Sequence, residues 1–125
     1  MGSISSILAE FKKVSESYTV DTITYTWLVE NHKVNRVDLF VLDVEGHELK
    51  CLKGASEIIE KSKKLVLVIE IDDNCLNVGV EKNEILDFLF KKNFKAYLPK
   101  GYPFKMKEIK SIPENHADNV IFIKQ

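Results

Sequence analysis

The sequence predicts an α/β fold with a doubly wound, mostly parallel sheet, on three observations. Two runs, "VDLFVLDV" (37–44) and "KLVLVIEI" (64–71), are apolar on both faces, as central strands of a parallel sheet are. A helical stripe of apolar residues follows each run. The resulting rhythm of strand, helix, strand, helix, strand belongs to open α/β sheets, whose ligands bind beyond the carboxyl ends of the strands. Acids cluster there: Asp43, Glu45 and Glu48 after the first run, Glu70, Asp72 and Asp73 at the end of the second.

Taken in order, Ile4, Ile7, Leu8, Phe11 and Val14 have helical spacing over residues 4–14. "YTVDTITY" (18–25) alternates and is rich in β-branched residues, which predicts a strand. "TWLVENHKV" (26–34) predicts a short helix with Thr26 as N-cap. After the first buried strand, Leu49, Leu52, Ala55, Ile58 and Ile59 form an amphipathic stripe that Gly54 divides into two helices. "DDNCLNVG" (72–79) reads as a loop, and Ile85 to Phe90 as the next helix. "FKAYLP" (94–99) is a strand ended by Pro99, residues 101–117 are irregular with two prolines, and "DNVIFIK" (118–124) is a final strand. Neither internal repeats nor a low-complexity linker divides the chain, so a single domain over 1–125 is expected.

The bulk numbers exclude several classes. A net charge of −1, with Arg36 the sole arginine, gives no electrostatic case for nucleic acid. No stretch approaches the roughly 20 apolar residues of a membrane span, and no secretory apolar segment stands at the N-terminus. A cytoplasmic protein that binds neither membrane nor nucleic acid is expected. Cys51 and Cys75 form no C-x-x-C pair and read as reduced thiols.

Each polar residue at the strand ends has a functional and a plain structural reading. Asp43 is a carboxylate at the rim of the site or a helix cap, and the two roles are compatible. Glu45 is a site carboxylate or an ordinary surface glutamate. Glu48, three residues on, reads as a partner of the cap or as a surface glutamate. Gly46 permits a tight turn and a close approach. A bare carboxylate at Glu70, closing a buried strand, is costly unless paired or solvated, which makes it a site candidate. Asp72 and Asp73 either solvate a loop or join Asp43 around a hard cation, but no ligand spacing is diagnostic and no metal is assigned. "HELKC" lacks the second histidine of a zinc helix, which leaves His47 as a bystander or a general base. His116 and Asn119 line either the substrate side or an ordinary turn.

"VDLFVLDVEGHELKCLKGA" resembles the signature of the FkbM-type methyltransferases, close to I-D-L-L-K-I-D-V-E-G-A-E-x-x-V-L-K-G-A. "TITYTWL" is similar to the family's T-x-T-L-D-D-L segment, "LVLVIEI" to its apolar strand ending in glutamate, and "NHADNVIFIK" to its final strand. The four segments fall in the right order over residues 18–125. The resemblance implies a Rossmann-like class I sheet and methyl transfer from S-adenosylmethionine to a hydroxyl of a small molecule or sugar. It implies that Asp43 ends the fourth of seven strands beside the transferred methyl group, and it points to Asp43, Glu45 and Glu70 as catalytic.

Departures from the family pattern remove polar groups. Its lysine before I-D-V-E-G is Val41 here, and the two aspartates of its L-D-D segment are Thr26 and Trp27. The family's first strand and glycine-rich turn would lie ahead of residue 1, and the glycines at 2, 46, 54, 79 and 101 are all isolated. The chain therefore looks like the C-terminal half of such an enzyme, without the backbone cradle for the cofactor. A non-catalytic interaction module on the same fold is the alternative. A nicotinamide dehydrogenase does not fit, because its fingerprint glycines are absent. Without its upstream neighbour, strand 37–44 would be a bare apolar edge. Self-association, pairing with an upstream fragment, or cover by residues 1–25 is expected.

Overall fold

The computed structural model describes residues 16–125, so the helix expected over 4–14 lies outside the described residues. Residues 16–24 form neither helix nor strand and are exposed throughout, which corrects the strand expected at 18–25. Their alternating pattern finds no neighbour to pair with among the described residues, and Tyr18, Val20 and Ile23 stand in solvent. Helix α1 (Tyr25–His32) is capped two residues earlier than expected, by Thr24, whose Oγ1 accepts from Trp27 N at 3.1 Å.

Strand β1 (Leu39–Leu42) is followed by α2 (Glu48–Gly54) and α3 (Ser56–Lys61), and the break falls at Ala55 beside the expected Gly54. Strand β2 (Val66–Ile71) leads into the short α4 (Asn74–Asn77), inside the stretch read as loop. Helix α5 (Lys82–Phe90) starts with a reciprocal capping box between Glu81 and Glu84. Strands β3 (Phe94–Lys100), β4 (Lys105–Ile109) and β5 (Asp118–Lys124) complete the chain. Strand β4 lies in the stretch expected to be irregular.

The sheet has the order β1-β2-β5-β3-β4. The expected parallel pairing of β1 with β2 is present, with Leu39 opposite Val66 and Leu42 opposite Ile69. The pairs β2–β5, β3–β5 and β3–β4 are antiparallel, so the sheet is mixed rather than mostly parallel. The cause is visible along the chain. Residues 43–65 carry two helices, long enough for a parallel crossover, whereas the connections after β3 hold no helix and can only double back.

One face of the sheet is the core. Leu42, Leu67, Ile69, Ile71, Phe122 and Ala96 are buried against Leu52, Ile59, Ile85 and Leu89 of the helices. Each such aliphatic side chain contributes roughly 2 kcal/mol relative to exposure. Lys124 locks this layer from the last strand: its Nζ donates to the carbonyls of Ile59 (2.6 Å), Glu60 (3.1 Å) and Ser62 (3.0 Å), groups that the end of α3 leaves without helical partners.

On the opposite face, strand β1 is the bare edge that the family resemblance implies, not the central strand that its apolar run suggests, and Leu39 and Val41 are 59% and 60% exposed. The second helical layer of a doubly wound sheet is not present over these two residues among the described ones. No helix among the described residues is long and apolar enough to cross a membrane.

Candidate functional site

The carboxyl ends of the parallel strands β1 and β2 lie side by side, and the acids converge there. The turn after β1 is folded by its own sequence. Glu45 and Gly46 both have positive φ (53° and 99°), so the chain reverses sharply after Val44. Glu48 is buried, and its Oε1 accepts from Val44 N and Gly46 N, each at 3.2 Å. The second glutamate of the D-V-E-G-x-E run is therefore a brace for the turn. It does not face solvent as a surface glutamate would.

Gly46 is required twice over. Its positive φ is costly for a residue with a side chain. A Cβ on it would also lie 2.4 Å from the Asn74 carbonyl oxygen. The loops after β1 and β2 thus pack backbone on backbone. Asn74 ties them further: its Nδ2 donates to Glu45 Oε2 (2.7 Å) and to Asp72 Oδ2 (2.9 Å), while its N–H donates to Asp72 Oδ1 (2.9 Å). Cys75 is buried next to it, and its Sγ donates to the Asp72 carbonyl at 3.1 Å. Burial pushes the thiols of both Cys75 and Cys51 up, which suits packing rather than reaction.

Asp43, exposed directly after Leu42, meets Glu70. Continuing the β1–β2 register by one residue sets the two side by side on one face. Their carboxyls share a hydrogen bond, which holds the Glu70 proton to higher pH than an ordinary glutamate. Desolvation and the charges of Asp43, Asp72 and Glu45 push the same way. A pair of this kind can accept a proton from one group and return it to another. Across β5, Asn119 is the register partner of Glu70.

The structure therefore brings Asp43, Glu45 and Glu70 together, with Asp72 beside them. His116 sits in the loop before β5, where its Nε2 contacts the Asp118 carbonyl at 2.9 Å. His47 is partly buried at the start of α2, and its Nδ1 has no hydrogen-bond partner among the described residues. No group of three or more His, Cys, Asp or Glu among the described residues is arranged to hold a metal ion.

Two residues that the sequence reading missed organise the surroundings. One is Asn74, described above. The other is Lys82, buried at the start of α5, whose Nζ pairs with Asp73 Oδ1 (2.6 Å) and donates to the carbonyls of Glu114 (3.1 Å) and His116 (2.8 Å). It pins the loop that leads into β5 to the loop that follows β2. A lysine opening a helix carries no sequence signal for such a role. A hollow of about 190 Å³ between α1 and the pair α2–α3 is lined by Tyr25, Val29 and Ile58 among others and by none of these acids.

A model of the methyltransferase FkbM domain matches residues 2–96. The match takes in every acid of the cluster and ends in β3, short of the β4 and β5 strands. No curated protein and no solved structure matches the chain.

Proposed function

This chain belongs to the methyltransferase FkbM domain family, and from that premise we propose that it serves methyl transfer from S-adenosylmethionine to a hydroxyl of a small molecule or sugar. The observation that supports this reading most is the side-by-side placement of Asp43 and Glu70 at the carboxyl ends of two parallel strands. In this reading the pair receives the acceptor hydroxyl, orients it and takes its proton. Glu45, fixed by Asn74, holds a second hydroxyl of the acceptor.

The cofactor supplies an electrophilic methyl group when bound. The described residues do not fit its methionine end. The described glycines are isolated in the sequence, and the space beside Gly46 is filled by the Asn74 backbone. No residue is therefore assigned to hold the cofactor. This favours, as a second reading, an interaction module that keeps the sheet and does not bind cofactor by itself.

Calorimetric titration with S-adenosylmethionine, paired with transfer of a labelled methyl group to a panel of polyols and sugars, separates the two. Weak cofactor binding and label transfer that Asp43→Asn removes are expected. Transfer unchanged in Asp43→Asn would sink the proposed role of the pair, and no binding or transfer at any cofactor concentration would leave the interaction module standing.

A further inference from the structure

The net charge of −1 averages two unlike parts of the chain. Residues 88–107 contain six of the 18 basic residues and none of the 19 acidic ones. They span the end of α5, strand β3 and the hairpin that turns into β4. The outer end of that hairpin is apolar as well as basic. Tyr102 and Phe104 at its tip are 101% and 65% exposed, and Met106 beside them is 44% exposed. Pro99 and Pro103 carry no backbone N–H, so this end has few donors to satisfy away from water.

The lysines of the hairpin are placed as for an anion. Lys100 stands directly opposite Lys105 in the β3–β4 register, and Lys107, opposite Leu98, falls on the same side. Like charges directly across a strand pair destabilise it. None of the three lysines has an ion-pair partner among the described residues, and the adjoining acid, Glu108, is taken by Lys95 (3.8 Å) and Lys110 (2.6 Å). An anion from outside the chain would relieve the repulsion.

We propose that this hairpin docks the protein onto the surface of an anionic lipid bilayer. Tyr102, Phe104 and Met106 enter the boundary between headgroups and acyl chains, where the rings are buried and the tyrosine hydroxyl stays wet. Lys100, Lys105 and Lys107 reach the anionic headgroups. The segment has no arginine, whose forked guanidinium reads phosphates and bases, so headgroups fit it better than nucleic acid does. The expectation of no membrane partner rests on the lack of an apolar span, which a surface contact does not need.

The orientation follows from the sheet. Strand β3 is antiparallel to β5, which is antiparallel to β2, so β3 runs the same way as β1 and β2. The tip therefore leaves the sheet at the end where Asp43 and Glu70 stand, and docking turns that end toward the headgroups.

Sedimentation of the full chain with vesicles tests the proposal. Binding is expected to vesicles of equal parts phosphatidylcholine and phosphatidylserine, not to phosphatidylcholine alone, and should fall steeply with salt. Phe104→Ser should lower the partition coefficient about tenfold, and Lys100→Glu combined with Lys105→Glu more than about tenfold. These positions are exposed, so unfolding midpoints should not fall. Lys91→Glu, exposed and ahead of β3, should leave binding nearly unchanged. No binding to the mixed vesicles overturns the proposal. So does binding that the tip variants leave intact, or a tighter hold on a single-stranded oligonucleotide that the same variants release.

Discussion

Gly46 and Asn74 approach so closely that a Cβ on the glycine would lie 2.4 Å from the asparagine carbonyl oxygen. This contact joins the loops that carry Glu45 and Asp72, and the φ of +99° at Gly46 adds to its demand. Gly46→Ala should therefore cost roughly 3 kcal/mol from strain and overpacking together. Urea denaturation gives the value. A loss below about 1 kcal/mol would mean that the two loops separate easily.

Two carboxylates five residues apart should behave in opposite ways. Glu48→Ala leaves the Val44 and Gly46 N–H groups without their acceptor and should cost about 3 kcal/mol. Glu48→Gln keeps an acceptor oxygen and should cost much less. Asp43→Asn, at an exposed position, should change stability by less than about 0.5 kcal/mol while removing methyl transfer. Unfolding and transfer measured on the same three variants would show whether brace and site are as separate as the geometry makes them.

The Asp43–Glu70 pair predicts a pH dependence with a definite sign. The folded state holds the Glu70 proton above the ordinary value of 4.5, chiefly through the hydrogen bond with Asp43. The folded state thus binds more protons than the unfolded one in that window. Stability from this group is full below about 4.5 and declines as pH rises through the higher folded value. Glu70→Gln should remove that decline and be at least as stable as the wild type at neutral pH. Denaturation midpoints of both proteins, followed from the ordinary value of 4.5 upward in pH, provide the comparison. Parallel curves would mean that Asp43 does not hold the Glu70 proton.

Lys124 should matter more than a lysine near the end of a chain usually does. Its ammonium serves three carbonyls at the end of α3, so Lys124→Met should cost about 2 kcal/mol. Thermal unfolding would show the shift. An unchanged midpoint would mean that water replaces the ammonium without penalty.

The sequence was readable where burial writes a period into it. Strands β1 and β2 and their parallel pairing follow from two apolar runs with a helical stripe between them. Strand β4 left no such trace, because Ile109 alone of its five residues is buried and its place comes from pairing with β3. The segment 18–25 shows the converse error: alternation alone does not make a strand without a neighbour. The apolar run alone pointed to a central β1, since an exposed Val41 and a buried one look alike in sequence, and only the family resemblance pointed to an edge. At the site, strand ends pointed to Asp43, Glu45 and Glu70. Their contact, and the parts played by Asn74 and Lys82, depend on register and on loops distant in sequence.

The strand order has a consequence for how the chain is made. Strand β5, the last in the chain, lies in the middle of the sheet between β2 and β3. During synthesis the β1–β2 pair and the β3–β4 hairpin emerge first, and neither touches the other through strand pairing. Only when residues 118–124 leave the ribosome can Phe122 and Val120 insert and join the two. Up to that moment Leu67 and Ala96 have open backbone neighbours that other nascent chains could occupy. The seven residues of β5 act as a closing wedge, and the earlier part of the chain must wait for them.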